Sequence, residues 1–297
     1  APSRNPDTKG KNLFNSAWLL SEGKIQSLAH KALLPTYDIF DEYRYFEPNR
    51  QFNCITYKDV KIALTICEAI WNLVPDPLYI SNPMDILAAQ SPDIMINIAA
   101  SPFNYEQQHT RLGILRANTA QYKIPLIYVN QAGAQTELLF DGNSCAVDIA
   151  GNITTQCKSF GEDTVFVDFD PESGSLVPDL PHTLVSSSKI SLIHDALVMG
   201  IRDYFVKMGF KKAILGLSGG IDSAVTMALA AEALGKENVY AVLLPSEFSS
   251  DHSINDAVAL AKNLGCKYDT ISIKDGYTSI LGSLQPYFNN LPFNVAE

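Results

Sequence analysis

The fold of this chain is constrained most by one short stretch, Ser218–Ser223, which reads Ser-Gly-Gly-Ile-Asp-Ser. The apolar run that ends at Leu217 predicts a buried parallel strand, and Ala224–Leu234 predicts a helix that Gly235 ends. In open α/β sheets, ligands bind where the carboxyl end of a strand meets the amino end of a helix. Unpaired N–H groups and the helix dipole favour an anion there. The stretch therefore predicts a phosphate-binding turn.

The side chains of this turn suit a nucleotide with a metal ion. The paired glycines let the backbone approach a ligand closely, and Ser218 and Ser223 add hydroxyl donors. No Lys-Ser or Lys-Thr follows the glycines, so the stretch is not a Walker A loop. Asp222 instead offers a carboxylate beside the phosphate site, as a Mg²⁺ ligand would. A Gly-Gly turn without a ligand is the alternative, and the complete stretch in its strand–turn–helix setting disfavours it.

The stretch resembles the pyrophosphate loop of the N-type ATP pyrophosphatases. That resemblance implies an ATP site that cleaves the nucleotide between its α and β phosphates, with Mg²⁺ on Asp222. The implied nucleotide-binding residues within the loop are Leu217, Ser218, Gly219, Gly220, Ile221, Asp222 and Ser223.

Bulk composition narrows the class of protein. The chain has 297 residues, 46% hydrophobic and 18% charged, which is typical of a globular protein of two domains. Its net charge of −10 argues against nucleic acid as a partner. The five cysteines show no metal-ligand spacing, which favours reduced thiols and a cytoplasmic location. No apolar run is long enough to predict a membrane span.

Strands dominate the predicted structure of the first 170 residues. They are a hairpin of Asn12–Leu20 with Ile25–His30, then Val60–Ile66, Asp93–Ile98 and Leu126–Asn130, and Ser144–Ile149 paired with Asn152–Lys158 across the turn Ala150–Gly151. Reactive side chains follow two of these strands. Lys31 follows a predicted strand over Ile25–His30, and Cys67 follows another over Val60–Ile66. Alone, a cysteine at a strand end is more often a buried structural residue, and a lone lysine is usually solvated.

A wider set of motifs around these two residues resembles the nitrilase-like glutaminase domain of the glutamine-dependent NAD⁺ synthetases. The motifs are Lys31 with Leu34–Tyr37, Phe40–Glu42, Arg44–Phe46, Ile66–Glu68 with Ile70–Trp71, Ala100–Phe103, Gln135–Leu138 and Phe140–Gly142. The similarity extends through nearly the whole chain. It implies an α/β architecture: an incomplete nitrilase-like α-β-β-α sandwich, followed by a Rossmann-like, doubly wound parallel sheet of the ATP pyrophosphatase type.

The resemblance also implies roles for individual residues. Cys67 is the expected nucleophile on the side-chain amide of glutamine, and Lys31 is expected to stabilise the oxyanion and lower the pKa of the thiol. Tyr37 and Ser101 match residues that hold the glutamine substrate. Glu42 matches an acid that the family places near the site, and we assign it a supporting role.

The chain departs from the family pattern in two ways. Ala69 stands where the family usually has Asp after Cys-Glu. Both ends also have the character of cuts, because the first residues are polar and loop-like without an initiator Met and the last lack a capping signal. We expect the general-base Glu upstream of this sequence, so glutaminase activity of this polypeptide alone is expected to be absent or severely reduced. We expect the second metal ligand of the ATP site downstream of this sequence.

Three ranges describe the expected domain organisation. The glutaminase domain occupies 1–170, a Pro-, Gly- and Ser-rich linker occupies 171–190, and the ATP-pyrophosphatase domain occupies 191–297. In the last range, strands and helices alternate at the pitch of βαβ units. By resemblance, Leu244 borders the adenine and ribose of ATP, and His252 is either a phosphate contact or a surface or capping residue.

The implied reaction is glutamine-hydrolysing NAD⁺ synthesis, in which ATP–Mg²⁺ adenylates nicotinic acid adenine dinucleotide and ammonia from glutamine displaces AMP. The expected partners are these small molecules and further copies of the chain in a homo-oligomer, with no nucleic acid and no membrane. Two alternatives stay open at this point. One is another pyrophosphate-loop amidotransferase or tRNA-modifying enzyme, and the other is a catalytically inactive fragment that only binds ATP or a partner subunit.

Overall fold

The structure, a computed structural model, describes residues 1–7, 9–73, 79–179 and 188–287. The chain divides into two compact units, Ala1–Ala196 and Leu197–Glu297. Of the predicted linker, 180–187 lie outside the described residues, and so does the expected uncapped end at 293–297.

The first unit is built mainly from strands. Its strands are β1 (Pro2–Arg4), β2 (Leu13–Ser21), β3 (Lys24–His30), β4 (Ile55–Tyr57), β5 (Val60–Ile66), β6 (Ile94–Ala99), β7 (Leu126–Asn130), β8 (Ala132–Gln135), β9 (Leu138–Asp141), β10 (Cys145–Val147), β11 (Ile153–Gln156), β12 (Val167–Asp170) and β13 (Ser175–Pro178). Its helices are α1 (Glu42–Tyr45), α2 (Pro83–Ala88), α3 (Gln107–Tyr122) and the first part of α4 (Lys189–Met208), which continues into the second unit.

A six-stranded sheet in the order β11-β10-β7-β6-β5-β4 forms the centre of this unit. Its middle strands β5, β6 and β7 are parallel, and their nearly continuous apolar sequences are typical of parallel strands buried on both faces. The predicted antiparallel pairing of the segments around 145 and 153 is confirmed by β10 and β11. A separate antiparallel sheet contains β1, β2 and β3, which confirms the predicted hairpin.

The core of the first unit lies where the six-stranded sheet packs against α2 and α3. Its buried members are apolar and come from strands β5, β6, β7 and β10, from these two helices, from the turn after β5 and from the segment between α3 and β7. They are Ala63, Ile70, Met84, Leu87, Met95, Leu115, Ile124, Leu126, Tyr128, Cys145 and Val147. This packing fixes the carboxyl ends of β5 and β6, where the reactive residues follow.

Two parts of the first unit differ from the sequence-based prediction. The first residues, predicted as a loop, form β1, whose Pro2–Arg4 pairs with Leu13–Asn15 of β2. Strand β13 lies within the stretch assigned to the linker; it pairs with β12, and its Leu176 is buried against Ile94 and Ala146. Both strands are short and pair with partners that local sequence patterns do not identify.

The second unit alternates strands and helices, as predicted. Its elements after α4 are β14 (Ala213–Gly216), α5 (Ile221–Leu234), β15 (Val239–Leu243), α6 (Asp251–Leu264), β16 (Lys267–Thr270) and α7 (Lys274–Leu284). Strands β14, β15 and β16 are parallel neighbours in that order. The core between them and the helices contains Leu217, Met227, Ala230, Val239, Ala241, Leu243, Ala257, Ala261 and Cys266.

One boundary in this unit corrects the sequence analysis. Helix α5 begins at Ile221 rather than at Ala224, because Gly220 has extended dihedral angles (φ −83°, ψ 159°) and acts as the N-cap. Asp222 and Ser223 therefore belong to the first helical turn and not to the loop before it.

None of the helices within the described ranges is long and apolar enough to cross a membrane.

Candidate functional site

Cys67 lies directly after β5, as the first residue of a 3₁₀ turn over Cys67–Ile70. Ile66 before it is extended, but Cys67 has a φ of +45°, in the left-handed region that residues other than glycine rarely adopt. A non-glycine residue held in this way costs about 1–3 kcal/mol and persists only where its surroundings enforce it. The conformation of the turn that carries the thiol must therefore be enforced by its surroundings.

Lys31 follows β3, and its side chain is buried at 2% exposure. Its Nζ lies 2.5 Å from Oε1 of Glu42, the first residue of α1. The other carboxylate oxygen of Glu42, Oε2, accepts a hydrogen bond of 3.4 Å from Asn15 Nδ2 on β2. A buried ammonium is tolerated only with such a counter-charge. Glu42 therefore supplies the counter-charge that Lys31 requires.

One cavity with a volume of about 400 Å³ joins these groups. Lys31, Glu42, Cys67 and Glu68 all contribute to its wall, together with Gln131 from the segment after β7. Gln131 was not predicted as a site residue. Lys31 and Cys67, which both follow predicted strands, thus share a cavity large enough for a small substrate.

The electrostatic setting of Cys67 combines opposing effects. Burial raises the pKa of the Cys67 thiol, the nearby ammonium of Lys31 lowers it, and the backbone N–H of Ala100 lowers it as a hydrogen-bond donor. The balance leaves the pKa above that of a free cysteine, because burial outweighs the ammonium. Lys31 thus opposes the effect of burial on the pKa of the thiol without reversing it.

Glu68, directly after the cysteine, is buried at 7% exposure and accepts a hydrogen bond of 2.8 Å from the hydroxyl of Tyr37. Burial raises the pKa of Glu68, while Tyr37 and Lys31 lower it. Burial and the bond to Glu68 raise the pKa of Tyr37, so its hydroxyl stays protonated as a donor. Tyr37 itself is not among the cavity wall residues, and it reaches the cavity through Glu68.

Ser101 is buried, and its backbone N–H donates a hydrogen bond of 2.9 Å to Oδ1 of Asn130. Ser101 does not itself form part of the cavity wall described above, although its neighbour Ala100 does. Asn130 in turn donates to Oδ1 of Asp141, which forms a buried, two-pronged ion pair with Arg111. The segment after β6 is thereby fixed to α3 and β9.

Ala69, which stands where the family usually has Asp, is buried within the 3₁₀ turn. It contributes no side-chain hydrogen bond, so the polar contacts of this turn come from other elements.

The second candidate site is the turn between β14 and α5. Leu217 is buried, and its N–H donates to Val242 O at 3.0 Å, which extends the pairing of β14 with β15. The hydroxyls of Ser218 and Ser223 lie 3.1 Å apart, and Ser218 Oγ also accepts from Gly220 N at 3.2 Å. Gly220, the N-cap, carries no capping side chain, so the first N–H groups of α5 are not capped by it.

Gly219 is the residue that brings this turn close to α6. Its φ is +85°, and a Cβ at this position would overlap the carbonyl oxygen of Ser253 in the first turn of α6. Only glycine meets both conditions. The amino-terminal turn of α6 therefore lies directly beside the loop.

Asp222 is exposed on the first turn of α5, beside this loop. In the described part of the chain, no group of three or more His, Cys, Asp or Glu residues is arranged to hold a metal ion. A single carboxylate fits Mg²⁺, which is commonly held by one or two carboxylates together with substrate phosphates and water. The donor set therefore suits a metal that arrives with a nucleotide.

Leu244 follows β15 and is half exposed. Because β14 and β15 are parallel neighbours, Leu244 and the Ser218–Ser223 loop lie at the same edge of the sheet. Ile221 is exposed at the start of α5.

His252 on α6 forms a pair with Asp256, one helical turn later, at 3.0 Å. The side chain of His252 is exposed, which favours the surface or capping role over a phosphate contact.

Sequence reasoning did not identify the pairing of Tyr37 with Glu68 or that of Arg111 with Asp141. Each pair joins residues about 30 positions apart, on elements whose contact depends on the sheet register. The signal that could have found them is the presence of charged residues within otherwise apolar or helical segments.

Comparison with known proteins gives two family matches. Residues 1–178 match the carbon-nitrogen hydrolase family, and residues 193–293 match the NAD synthase family. The first match covers more than half of the chain.

Relatives found by sequence include glutamine-dependent NAD⁺ synthetases. That of a Synechocystis strain is 43% identical over 300 residues, which cover 100% of this chain and 54% of the relative. The synthetase of an Acinetobacter baylyi strain is 33% identical over 290 residues, which cover 98% of this chain and 52% of the relative. The chain spans about half the length of the curated relatives it matches.

Solved structures agree. A glutamine-dependent NAD⁺ synthetase from Acinetobacter baumannii, in complex with ADP, superposes with a TM-score of 0.91 at 32% identity, covering 99% of this chain and 54% of that one. One from Cytophaga hutchinsonii has a TM-score of 0.74 at 18% identity, a likeness of fold. The chain therefore belongs to the carbon-nitrogen hydrolase family and is similar over its whole length to glutamine-dependent NAD⁺ synthetases.

Proposed function

We propose that the full-length protein carrying this sequence is a glutamine-hydrolysing NAD⁺ synthase. The observation that supports this most is the presence, in one chain, of a Lys31–Glu42–Cys67 cavity and a Ser218–Ser223 phosphate loop. The first lies in the part that matches the carbon-nitrogen hydrolases, and the second lies in the part that matches NAD synthase. The matched relatives that combine both parts are named for this activity.

In the first unit, the proposed reaction is hydrolysis of the side-chain amide of glutamine. The sulfur of Cys67 attacks the amide carbon, and the ammonium of Lys31 donates a hydrogen bond to the oxygen as it becomes negative. Collapse of this intermediate releases ammonia and leaves a thioester, which water then hydrolyses to glutamate. Glu42 holds the Lys31 ammonium in place, and the base that assists these proton transfers is not assigned among the described residues.

Glutamine binding in this proposal uses polar groups beside the thiol. Glu68 offers a carboxylate to the α-ammonium of the amino acid, with Tyr37 fixing that carboxylate. Ser101 remains a proposed substrate-binding residue, positioned by the bond of its N–H to Asn130.

In the second unit, the proposed reaction is transfer of AMP from ATP to the carboxylate of nicotinic acid adenine dinucleotide. The amino-terminal N–H groups of α5 and the hydroxyls of Ser218 and Ser223 bind the phosphates, and Leu244 borders the nucleoside. Mg²⁺ would be held by Asp222 together with phosphate oxygens and would neutralise charge on the departing pyrophosphate. Ammonia then displaces AMP to give the amide.

Of the two alternatives, another pyrophosphate-loop amidotransferase loses support because residues 193–293 match NAD synthase.

We also propose that the full-length protein forms a homo-oligomer. Sedimentation of the full-length protein tests this proposal, and a monomer alone would contradict it.

The test compares two nitrogen donors in the full-length protein with Cys67→Ala. We expect loss of NAD⁺ synthesis from glutamine and retention of synthesis from added ammonium, because only the first donor requires the thiol. A substitution of Cys266, buried in the second unit, by Ala is the control and is expected to leave the ratio of the two rates unchanged. Equal loss with both donors after Cys67→Ala would show that Cys67 is structural and would refute the proposed glutaminase role.

A further inference from the structure

The 3₁₀ turn that carries Cys67 is contacted at both ends by fully buried asparagines. Asn97 on β6 and Asn118 on α3 are each 0% exposed. Asn97 Nδ2 donates to the backbone oxygen of Cys67 at 3.3 Å, and Asn118 Nδ2 donates to that of Ile70 at 2.8 Å. Cys67 and Ile70 are the first and last residues of the turn.

The orientation of the Asn97 amide is fixed by its neighbour. Thr65 pairs with Asn97 in the register of β5 and β6, and its hydroxyl donates to Ile96 O at 3.3 Å. With its proton used there, Thr65 Oγ1 accepts from Asn97 Nδ2 at 2.9 Å. The nitrogen of the amide must therefore face Thr65 and the Cys67 carbonyl, since the opposite orientation would set two oxygens against each other.

The orientation of Asn118 is fixed in the same manner. Its second Nδ2 hydrogen goes to the carbonyl oxygen of Ile114, one helical turn earlier, at 2.9 Å. Both of its partners are acceptors only, so the amide nitrogen must face them. Within the described residues, the Oδ1 atoms of Asn97 and Asn118 have no hydrogen-bond partner. The common feature of the two side chains is thus donation to the carbonyls of the turn.

A strained backbone needs this kind of support. Cys67 has a φ of +45°, and its N-cap residue Ile66 forms no side-chain capping bond. Backbone strain at a functional residue persists where surrounding contacts over-determine the conformation. Buried hydrogen bonds in a low-dielectric interior are suited to that task.

We propose that Asn97 and Asn118 are positioning residues that hold the Cys67 turn in its strained conformation and thereby set the place of the thiol relative to Lys31. The expected effect on glutamine hydrolysis rests on the proposed glutaminase function, whereas the role of the two asparagines in holding the turn does not. When the Asn97 bond is removed, the turn relaxes and the thiol moves away from Lys31 and from the N–H of Ala100. Both of these groups lower the pKa of the thiol.

The test uses Asn97→Leu and Asn118→Leu in the full-length protein, because leucine has nearly the same shape and no donor. The matched control is Thr119→Val, next to Asn118 on α3, which is equally buried and loses only a bond to Arg116 O. Glutamine hydrolysis is measured with NAD⁺ synthesis from ammonium as the internal reference. All assays are made at a temperature where circular dichroism shows each variant to be folded.

We expect kcat for glutamine to fall between roughly 10- and 100-fold in both asparagine variants, since small misplacement of a reacting group has effects of this order. KM for glutamine and the ammonium-dependent rate are expected to stay within about twofold of those of the unmodified protein, the size of change that alters little binding energy. Thr119→Val is expected to change neither. An unchanged kcat, or equal loss with both nitrogen donors, would overturn the proposal.

A second measurement does not depend on glutamine. The rate of Cys67 alkylation by iodoacetamide is followed against pH by mass spectrometry of its peptide. We expect the profile to shift to higher pH in Asn97→Leu, because the thiol loses the two groups that lower its pKa while the apolar leucine keeps its surroundings buried. The profile is expected to stay in place in Thr119→Val. An unshifted profile, or one moved to lower pH, would overturn the positioning role even if the protein hydrolyses no glutamine.

Where Asn97→Leu does not fold, Thr65→Val decides the question. This variant keeps Asn97 but removes the hydroxyl that orients its amide, together with the bond of that hydroxyl to Ile96 O. A shift of the alkylation profile in the same direction, but smaller, is therefore expected. Absence of a shift in this folded variant would count against the proposal.

Discussion

The Nζ of Lys31 lies 2.5 Å from Oε1 of Glu42, and both residues line the same cavity as Cys67. Lys31 is buried at 2% exposure, whereas Glu42 is at 21%. The carboxylate thus connects a buried cation to the more open part of the cavity. The cavity that holds the thiol thus also holds the Lys31 ammonium, which lowers the pKa of Cys67, and the Glu42 carboxylate, which raises it.

Lys31→Met is expected to shift the alkylation profile of Cys67 to higher pH. The ammonium lowers the pKa of the thiol while burial raises it, and methionine keeps the burial but removes the charge. Since the thiolate is the reactive form, a higher pKa means slower alkylation at any pH below it. Cys266 in the second unit is an internal control whose profile should not move. A Cys67 profile that is unchanged would contradict the assigned role of Lys31.

The buried Arg111–Asp141 pair predicts a large loss of stability from a single substitution. Arg111→Met leaves the Asp141 carboxylate without its principal cation, at a cost of about 3–5 kcal/mol in the free energy of unfolding. The control is Arg44→Met, which breaks an exposed pair with Asp41 and is expected to cost under about 1 kcal/mol. Urea denaturation measures both. Similar losses in the two variants would show that burial does not govern the Arg111 pair.

Gly219→Ala is expected to damage the phosphate loop. The added Cβ would overlap Ser253 O, and the φ of +85° is strained for alanine, so the second unit should lose more than about 1 kcal/mol of stability. ATP affinity is expected to fall, because the loop must move away from α6. Gly276→Ala on α7 meets nothing nearby and should be neutral or stabilising. Isothermal titration with ATP and thermal denaturation give the two readouts, and normal ATP binding by Gly219→Ala would contradict the assignment of the loop.

Elements with strong local patterns could be predicted from the sequence. Three largely apolar runs form strands whose bounds equal or lie close to the predicted ones. They are Val60–Ile66, Leu126–Asn130 and Ala213–Gly216. Their composition requires burial on both faces, which a parallel sheet provides. The positions that follow them, including Cys67 and the Ser218–Ser223 loop, could therefore be located at strand ends.

Features that depend on remote pairing could not be predicted. Strand β1 exists because Pro2–Arg4 pairs with β2, and nothing in its own sequence favours a strand. The strained φ of Cys67 and its contact with Asn97 depend on the register of β5 and β6. The start of α5 at Ile221 depends on the dihedral angles of Gly220. Because glycine adopts many backbone conformations, its presence in the sequence does not specify these angles.

The central claim is tested most directly by the products of the full-length protein. The full-length protein is mixed with ATP, Mg²⁺, nicotinic acid adenine dinucleotide and glutamine, and the products are separated and quantified. The account predicts that NAD⁺, AMP, pyrophosphate and glutamate form together, because the loop activates a carboxylate by adenylation and the Cys67 cavity supplies ammonia. Formation of ADP and phosphate in place of AMP and pyrophosphate would contradict the assignment of the Ser218–Ser223 loop and the proposed function with it.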